Sequence, residues 1–394
     1  LFEDIEFWRS MRNTLAMSVM NLIFSFLFAI VFALLLNEIK SLPLKKITQT
    51  VSYLPHFLSW IIVCSLISKM LSTNDGAVNN VLMKLGLIKE PLLFLGDQKY
   101  FWWITTFANI WKETGWNSII YIAAIAGIDQ SLYEAAELDG AGRFRKMWHV
   151  TLPGIKSTII VLLIMNLGWV MNASFEVPYI LGSGLLQDVS QTIDIFVLKY
   201  GMNIGNYSLA TAAGIFKSVI SLFLVFSTNA IANKMGESSL MYGGMNMIRR
   251  RRPRIKFHIN KRDLRPENII FTCVNTLIML CVIVVMLYPF WNTVAVSFND
   301  AQDTLRGGIK LFPRVFSMYS YQSVFKNKLM LIAAINSVLR TLISTVLGVI
   351  IGSMIAYVLS RKELVAKKFI TSYFLVTMYI SAGLIPYYFF MKDL

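Results

Sequence analysis

Two sets of aromatic, amide and carboxylate residues occur at helical spacing in apolar stretches of this sequence. Aromatic ring faces can stack on a solute, and amide or carboxylate groups can hydrogen-bond its hydroxyl groups, where they face a cavity. Spacings of i, i+3, i+7 and of i, i+4, i+7 place the members of each set on one helix face. The sets are Trp169, Asn172 and Glu176, and Asn109, Glu113 and Trp116. The sequence therefore predicts two facing stripes that could line a path for a polyhydroxylated solute.

The same residues also have a purely structural interpretation. Tryptophans near the ends of membrane-spanning helices form belts at the membrane interface. Glu113 and Glu176 lie close to the predicted outer ends of their spans, where water can reach a carboxylate. The sequence is therefore compatible with both interpretations, an interfacial belt and a solute path.

The sequence lacks the residue patterns that metal binding, disulfide formation, phosphate-loop binding or catalysis would require. His56 has no second histidine or carboxylate at ligand spacing, so we predict no metal site. Cys64, Cys273 and Cys281 all fall in apolar runs, which argues against a disulfide framework. No GxxxxGK[ST] phosphate loop and no convergent catalytic group at membrane depth occurs. We therefore expect neither an enzyme nor a cofactor bound by this chain.

Apolar residues dominate the composition, with 56% hydrophobic residues and a mean hydropathy of +0.59. These values exclude a soluble globular domain. Runs of about 20 residues, enough to cross a hydrocarbon core of roughly 30 Å, predict roughly eight spans. They lie at approximately 13–36, 51–70, 102–126, 156–178, 209–232, 268–291, 331–358 and 367–390. Each must be helical because lipid offers backbone groups no partners, so the fold class is an all-α, multi-pass membrane protein.

The net charge of +15 is explained by the connections between the spans. Lysine and arginine in short connections mark the cytoplasmic side, which places 131–153 and 234–265 in the cytoplasm. The arginines at 249–252 form a retention signal that could touch anionic lipid. No aromatic or helical reading platform accompanies them, so we expect membrane lipids and no nucleic acid as partners.

A polar stretch at 131–153, SLYEAAELDGAGRFRKMWHVTLP, separates two long apolar runs. Ser131 followed three residues later by Glu134 predicts a capping box, in which each side chain bonds a backbone N–H of the other residue. A short helix should therefore begin at Leu132.

The end of that short helix and its exposed face are also predicted. Ala135 and Ala136 keep one face shallow enough for the backbone of another protein to approach. Asp139 and Gly140 should end the helix, because glycine tolerates the left-handed conformation found at helix ends. Pro153 should then open the next span in its first turn.

These residues carry a resemblance to a known family. The pattern EAA, three residues, Gly140, nine residues and VTLP at 150–153 resembles the cytoplasmic EAA loop of permease subunits of bacterial binding-protein-dependent ABC importers. Val150 replaces the isoleucine usual there. YLPHFLSW from Tyr53 and MYISAGLIP from Met378 further resemble paired oligosaccharide and polysaccharide permeases of Gram-positive bacteria.

The resemblance implies a fold, a function and partners. The fold would be the multi-span helical bundle of the type I ABC importer permease (MetI-like), in the bacterial plasma membrane. The chain would import an oligosaccharide or related carbohydrate delivered by an extracellular solute-binding protein. It would work with a second permease subunit and with ATPase subunits that hold ATP and Mg²⁺. The residues implied to couple it to the ATPase are Glu134, Ala135, Ala136, Asp139, Gly140, Leu152 and Pro153.

An internal repeat predicts the domain organisation. Asn13-Thr14, an apolar span and Ala33 are echoed by Asn336-Ser337, an apolar span and Ala356. We expect a first permease unit at 1–244 that lacks its first span, a basic cytoplasmic junction at 245–266, and the N-terminal half of a second unit, without its coupling loop, at 267–394.

An ion-coupled secondary transporter of a small solute is the alternative function. Such proteins place carboxylates in the middle of the membrane to bind the coupling ion. The predicted span centres are almost free of Asp and Glu, which favours an external energy source such as an ATPase.

Overall fold

The computed structural model describes residues 1–171, 175–182, 184–234, 266–306, 308–309, 311–361 and 367–379. Within these ranges the regular secondary structure is helical, with one isolated β-bridge between Asn299 and Phe316 and turns or loops between the helices, so the predicted all-α fold is confirmed. The chain divides into two compact units, formed mainly by Leu1–Leu287 and by Tyr288–Met378. The predicted junction at 245–266 lies almost entirely outside the described residues.

The described residues of the first unit form thirteen helices and most of a fourteenth. They are α1 (Ile5–Asn37), α2 (Leu42–Tyr53), α3 (Trp60–Met70), α4 (Ala77–Lys84), α5 (Gln98–Ala126), α6 (Gln130–Leu138), α7 (Arg143–Lys146), α8 (Leu152–Gly154), α9 (Lys156–Gly168), α10 (Glu176–Leu181), α11 (Gln187–Ser190), α12 (Ile193–Leu198), α13 (Tyr207–Lys234) and α14 (Pro266–Ser297). Short 3-10 turns cover Leu54–Phe57 and Gly184–Leu186, and π-helical turns cover Met147–Thr151 and Lys199–Asn203.

The second unit begins within α14. The helices that follow are α15 (Ala301–Leu305), α16 (Tyr319–Lys326), α17 (Lys328–Ser360) and α18 (Lys367–Tyr379). The Asn299 side-chain oxygen accepts hydrogen bonds from the backbone N–H groups of Arg314 and Val315, at 2.7 and 2.9 Å. These bonds fix the connection between α15 and α16 to the end of α14.

Four described helices are long and apolar enough to cross a membrane, and each matches a predicted span. Two further helix pairs pass the same test only when each pair is counted as one span. Both pairs are bent, one by 104° and the other by 61°. Helix α5 has the length of a span, but polar residues interrupt its middle. The predicted span at 367–390 begins as α18, and its part beyond Tyr379 lies outside the described residues. The four helices that are long and apolar enough to cross a membrane on their own are Ile5–Asn37, Tyr207–Thr228, Ile269–Ser297 and Lys328–Ser360.

The span predicted at 51–70 is wrong as a single helix. The chain turns by 104° between Leu42–Phe57 and Trp60–Met70. Pro55 lies in the 3-10 turn that ends the first segment, and the Ser59 hydroxyl accepts a hydrogen bond from the Ile62 N–H to cap α3. Hydropathy alone does not register such a break, because the residues on both sides of it within 51–70 are mostly apolar.

The span predicted at 156–178 is also broken. Helix α9 ends at Gly168, and α10 begins only at Glu176. Between them, Val170 and Met171 are buried against Phe7 in a hydrophobic cluster. Irregular backbone at membrane depth is tolerated where it is buried in protein or lines a cavity. Val170 and Met171 therefore pack into this cluster instead of continuing α9.

Helices α1 and α5 lie side by side and form the centre of the first unit. At one end of the pair, Ala29 and Ala33 are almost fully buried beside Tyr121 and Ile125. Small residues let helix backbones approach closely. The pair therefore provides a rigid scaffold on which the neighbouring segments place their side chains.

Helix α5 also packs closely against α2, at Gly115. A Cβ atom added to Gly115 would lie 2.0 Å from the carbonyl oxygen of Ser52 and 2.4 Å from its carbonyl carbon. We expect Gly115→Ala to destabilise the protein by about 1–3 kcal/mol, because backbone atoms must move apart. The measurement is the thermal unfolding midpoint in detergent. Gly214→Ala in α13 is the control, since nothing lies within 4 Å of its Cβ position. Equal midpoints for both variants would contradict the prediction.

Candidate functional site

A cavity of about 440 Å³ lies between α1, α5 and α9. Its wall combines amides and a carboxylate with two indole rings. The amide side chains of Asn109 and Asn166 donate to the backbone carbonyls of Thr105 and Leu162, which fixes their orientation. The amide, carboxylate and indole side chains of the wall belong to Asn21, Asn109, Glu113, Trp116, Asn117, Asn166 and Trp169.

The structure brings together part of the two predicted stripes. Asn109, Glu113 and Trp116 share one face of α5, as predicted, and Trp169 lies in the same cavity wall. The prediction that Trp169 and Glu176 share a helix face is wrong, because α9 ends at Gly168 and Glu176 begins α10. Glu176 is exposed and does not line the cavity. The predicted partner between them, Asn172, lies outside the described residues.

Glu113 lies at the middle of α5, not near its outer end as predicted. Its neighbour Lys112 is 5% exposed, and the Lys112 ammonium donates to Glu113 Oε1 at 3.1 Å and to the His56 carbonyl at 2.6 Å. His56 Nδ1 lies 2.7 Å from Glu113 Oε2. The predicted isolation of His56 is therefore wrong, and Glu113 is an exception to the expectation that the span centres are almost free of carboxylates.

Aromatic rings enclose this charged cluster, which consists of His56, Lys112 and Glu113. The His56 ring stacks on Trp116 with centroids 4.2 Å apart and an interplanar angle of 1°. The Lys112 ammonium lies 5.1 Å from the Trp60 ring centroid, a cation–π distance. The 3-10 turn Leu54–Phe57 presents His56, and the bend that follows it places Trp60.

Sequence signals for this cluster exist. The adjacent Lys112 and Glu113 interrupt an apolar run, and intramembrane ionisable residues indicate a functional site with a partner. Pro55 marks a helix break directly before His56. Nothing local, however, links His56 to a carboxylate 57 positions further along the chain.

The arrangement supports non-covalent binding. Two indole rings, several amides and one carboxylate face a common space, which suits a solute with both C–H faces and hydroxyl groups. Among the described residues, no group of three histidine, cysteine, aspartate or glutamate side chains could hold a metal ion.

The short helix predicted in the 131–153 stretch is α6, but its start differs from the prediction. Asp129 Oδ1 accepts hydrogen bonds from the Ser131 backbone N–H at 3.1 Å and from the Ser131 hydroxyl at 2.9 Å. Asp129 is therefore the N-cap, and the helix begins at Gln130 instead of Leu132. The predicted capping box between Ser131 and Glu134 is wrong, because aspartate accepts these bonds from an earlier position.

The predicted end of α6 is confirmed. Gly140 has a φ of +79°, in the left-handed region. The Ala141 N–H donates to the Ala136 carbonyl at 2.9 Å, and the Gly140 N–H donates to the Glu137 carbonyl at 3.1 Å. This pair of bonds is the Schellman motif. The helix therefore ends at a defined point and leaves its outer face, including Ala135, exposed.

Two side-chain contacts tie α6 to the segment that leads into α9. The Tyr133 hydroxyl and Thr151 Oγ1 are 2.9 Å apart, and the Lys146 ammonium donates to Glu137 Oε1 at 2.6 Å. Burial raises the pKa of Tyr133, so its hydroxyl stays protonated. Thr151 closes the π-helical turn Met147–Thr151. Displacement of α6 would therefore pull directly on this segment.

Leu152 and Pro153 lie in α8, which continues the π-helical turn. The prediction that Pro153 opens the next span in its first turn is wrong. A bend of 61° separates Arg143–Gly154 from Lys156–Gly168, so the apolar helix begins after the bend.

We expect Tyr133→Phe to loosen α6 without unfolding it. The ring stays in place, while the hydrogen bond to Thr151 is lost, at a cost of about 1 kcal/mol. Hydrogen exchange of the α6 backbone amides, followed by mass spectrometry, should accelerate by roughly fivefold. Tyr319→Phe on the exposed helix α16 is the matched control. Unchanged exchange in Tyr133→Phe would contradict the prediction.

Comparison with known proteins gives consistent matches to one group. Residues 15–237 match the family model described as binding-protein-dependent transport system inner membrane component. Protein LplB of Bacillus subtilis (strain 168) is 43% identical over 239 residues, which is 61% of this chain and 74% of that protein. The polygalacturonan/rhamnogalacturonan transport system permease protein YteP of the same strain is 41% identical over 240 residues, 61% of this chain and 74% of that protein.

A solved structure is similar as well. It is the crystal structure of a bacterial alginate ABC transporter in complex with an alginate pentasaccharide-bound periplasmic protein. One chain of it is 38% identical, with a TM-score of 0.58, over 61% of this chain and 83% of that chain. The similarity therefore extends from sequence to backbone geometry.

Proposed function

The chain belongs to the family of binding-protein-dependent transport system inner membrane components, and from this premise we propose that it imports an oligosaccharide or related carbohydrate. It is a multi-pass protein of the bacterial plasma membrane and not itself an enzyme, since a separate subunit hydrolyses ATP. Its partners are ATPase subunits, a second permease and a solute-binding protein. YteP and the alginate transporter, named for polysaccharides, support the carbohydrate class.

The cavity between α1, α5 and α9 is the observation that carries this function. Trp116 and Trp169 supply ring faces, and Asn21, Asn109 and Asn166 supply amides that can bond hydroxyl groups. Both tryptophans belong to the wall of one cavity, which favours the solute path over the interfacial belt. We assign the substrate path to the α5 stripe together with Trp169.

The exposed face of α6 is the proposed ATPase contact. Ala135 is exposed and small, and the Gly140 turn fixes where the helix ends. Because Asp129 caps the helix, capping does not explain Glu134. A groove in the ATPase would receive this face, and closure of the ATPase dimer would move α6 and the segment attached to it. The proposed coupling residues are Glu134, Ala135, Ala136, Asp139, Gly140, Leu152 and Pro153.

We further propose that 267–394 is the first half of a second permease. Helices α1 and α17 both have 33 residues. Asn13 and Asn336 occupy the same position in these helices, and so do Ala33 and Ala356. The family match ends at residue 237, before the proposed junction at 245–266.

An ion-coupled secondary transporter is the second candidate, because Glu113 lies at the middle of α5. A coupling carboxylate must bind and release its ion during transport. Glu113 is instead held by the Lys112 ammonium, which donates to Oε1, and by His56, whose Nδ1 lies 2.7 Å from Oε2. This pairing favours a fixed structural or binding role for the carboxylate.

Uptake into proteoliposomes separates the two candidates. The importer would be reconstituted with its ATPase, second permease and solute-binding protein, and labelled oligosaccharide uptake measured with and without ATP. We expect uptake to require ATP and to be insensitive to a protonophore. Uptake driven by a proton or sodium gradient without ATP would contradict the proposed function.

A further inference from the structure

The charge of the cavity wall distinguishes between classes of saccharide. YteP is named for polygalacturonan/rhamnogalacturonan transport and the solved transporter for alginate, and both names denote acidic saccharides. The charges that line this cavity bear on whether it shares that preference or favours neutral saccharides. An anionic sugar needs a cationic partner once it leaves water. Among the described residues that line the cavity, Glu113 alone is charged, and none is lysine, arginine or histidine.

Lys112 does not supply the missing cation. Its side chain is 6% exposed, and its ammonium is directed to Glu113 Oε1 and to the His56 carbonyl, with the Trp60 ring beside it. The Glu113 side chain, at 23% exposed, lines the cavity, whereas Lys112 is not among the lining residues. A solute in the cavity therefore meets the carboxylate of this pair.

Trp116 fixes where a sugar ring could lie. His56 stacks on one face of its indole, and Phe57 meets the indole edge-on with centroids 5.7 Å apart. A solute in the cavity can therefore stack only on the remaining face. Glu113 precedes Trp116 by three positions on α5, so the two side chains share a helix face. Hydroxyl groups of a stacked sugar would then lie within reach of the carboxylate.

We propose that this cavity selects uncharged saccharide residues and that Glu113 determines this specificity. The proposal rests on the proposed carbohydrate function and names its substrate class. The Glu113 carboxylate accepts hydrogen bonds from sugar hydroxyls, as charge-assisted acceptors do. A uronate carboxylate at the same place would meet a like charge with no cation on the described wall. Neutral residues should bind at least about tenfold more tightly than uronates.

Binding to the purified importer in nanodiscs, without solute-binding protein, tests the proposal. Saturation-transfer-difference NMR would compare pentagalacturonate, its fully methyl-esterified form and maltopentaose. The esterified and free acids share a backbone and differ in charge. We expect the ester to bind at least about tenfold more tightly than the acid. Equal binding of acid and ester would overturn the proposal.

The Glu113→Gln variant tests whether Glu113 causes the preference for the ester over the acid. The amide keeps the shape but removes the negative charge, so the ratio between ester and acid should fall toward one. Asp97→Asn, at the start of the same helix and outside the cavity, is the matched control and should keep the ratio. An unchanged ratio in Glu113→Gln would overturn the assignment. Failure of both neutral probes to bind would instead contradict the proposed carbohydrate function.

Discussion

Gly140→Val is expected to lower ATP-driven uptake by at least about tenfold while the importer still assembles. A β-branched residue cannot easily adopt the φ of +79° at this position, and the left-handed conformation costs L-residues roughly 1–2 kcal/mol. The last turn of α6 must then rearrange, which displaces the face that carries Ala135 and Ala136. The measurement is uptake together with ATPase activity of the same preparation.

Two matched variants show whether the loss of uptake in Gly140→Val arises from the location of Gly140 in α6 or from its left-handed backbone conformation. Gly86 also has a positive φ, of +71°, and no atom lies within 4 Å of a Cβ at either glycine. Gly86→Val should leave uptake near the wild-type rate, because Gly86 lies far from α6 in the sequence, after α4. Gly140→Asn should retain more uptake than Gly140→Val, since asparagine tolerates the left-handed region. Full uptake in Gly140→Val would contradict the proposed docking.

Lys112→Met is expected to destabilise the protein by about 3 kcal/mol, because it leaves Glu113 in a partly buried site without its cation. The loss should appear as a lower thermal unfolding midpoint in detergent. Glu113→Gln in the same chain should restore part of the loss, since the uncompensated charge is then removed. A double-mutant cycle of the two variants gives their coupling free energy.

The control for this prediction lies on the same helix. Lys99 pairs with Asp97 at 2.8 Å, but its side chain is 64% exposed. Lys99→Met should leave the unfolding midpoint unchanged, because exposed ion pairs contribute little. Equal midpoints for Lys112→Met and Lys99→Met would show that the charged cluster does not hold α5 to the His56 turn.

Local chemistry explains what the sequence predicted correctly. Gly140 ends α6 because only its own conformational freedom is involved. The prediction that Asn109, Glu113 and Trp116 share one helix face is correct because α5 is a continuous helix. Sequence spacing is therefore sufficient to predict which residues share a face of a continuous helix, and a single glycine is sufficient to predict where a helix ends.

Tertiary packing explains what the sequence could not predict. Trp169 and Glu176 do not share a helix because α9 ends at Gly168 and α10 begins at Glu176, and Val170 and Met171 are buried in a hydrophobic cluster with residues distant in the sequence. His56 reaches Glu113 because the chain turns by 104° after the 3-10 turn. Both features depend on contacts between distant segments, which hydropathy and helical periodicity do not contain.

Cysteine cross-linking between α6 and the ATPase tests the central claim most directly. Cys64, Cys273 and Cys281 would be replaced by serine, and Ala135→Cys combined with a cysteine in the ATPase groove. We predict a cross-linked product whose yield changes with ATP, and none from Leu85→Cys, which is also exposed but lies in the predicted external connection. Absence of the Ala135→Cys product, or equal yields from both positions, would contradict coupling through α6.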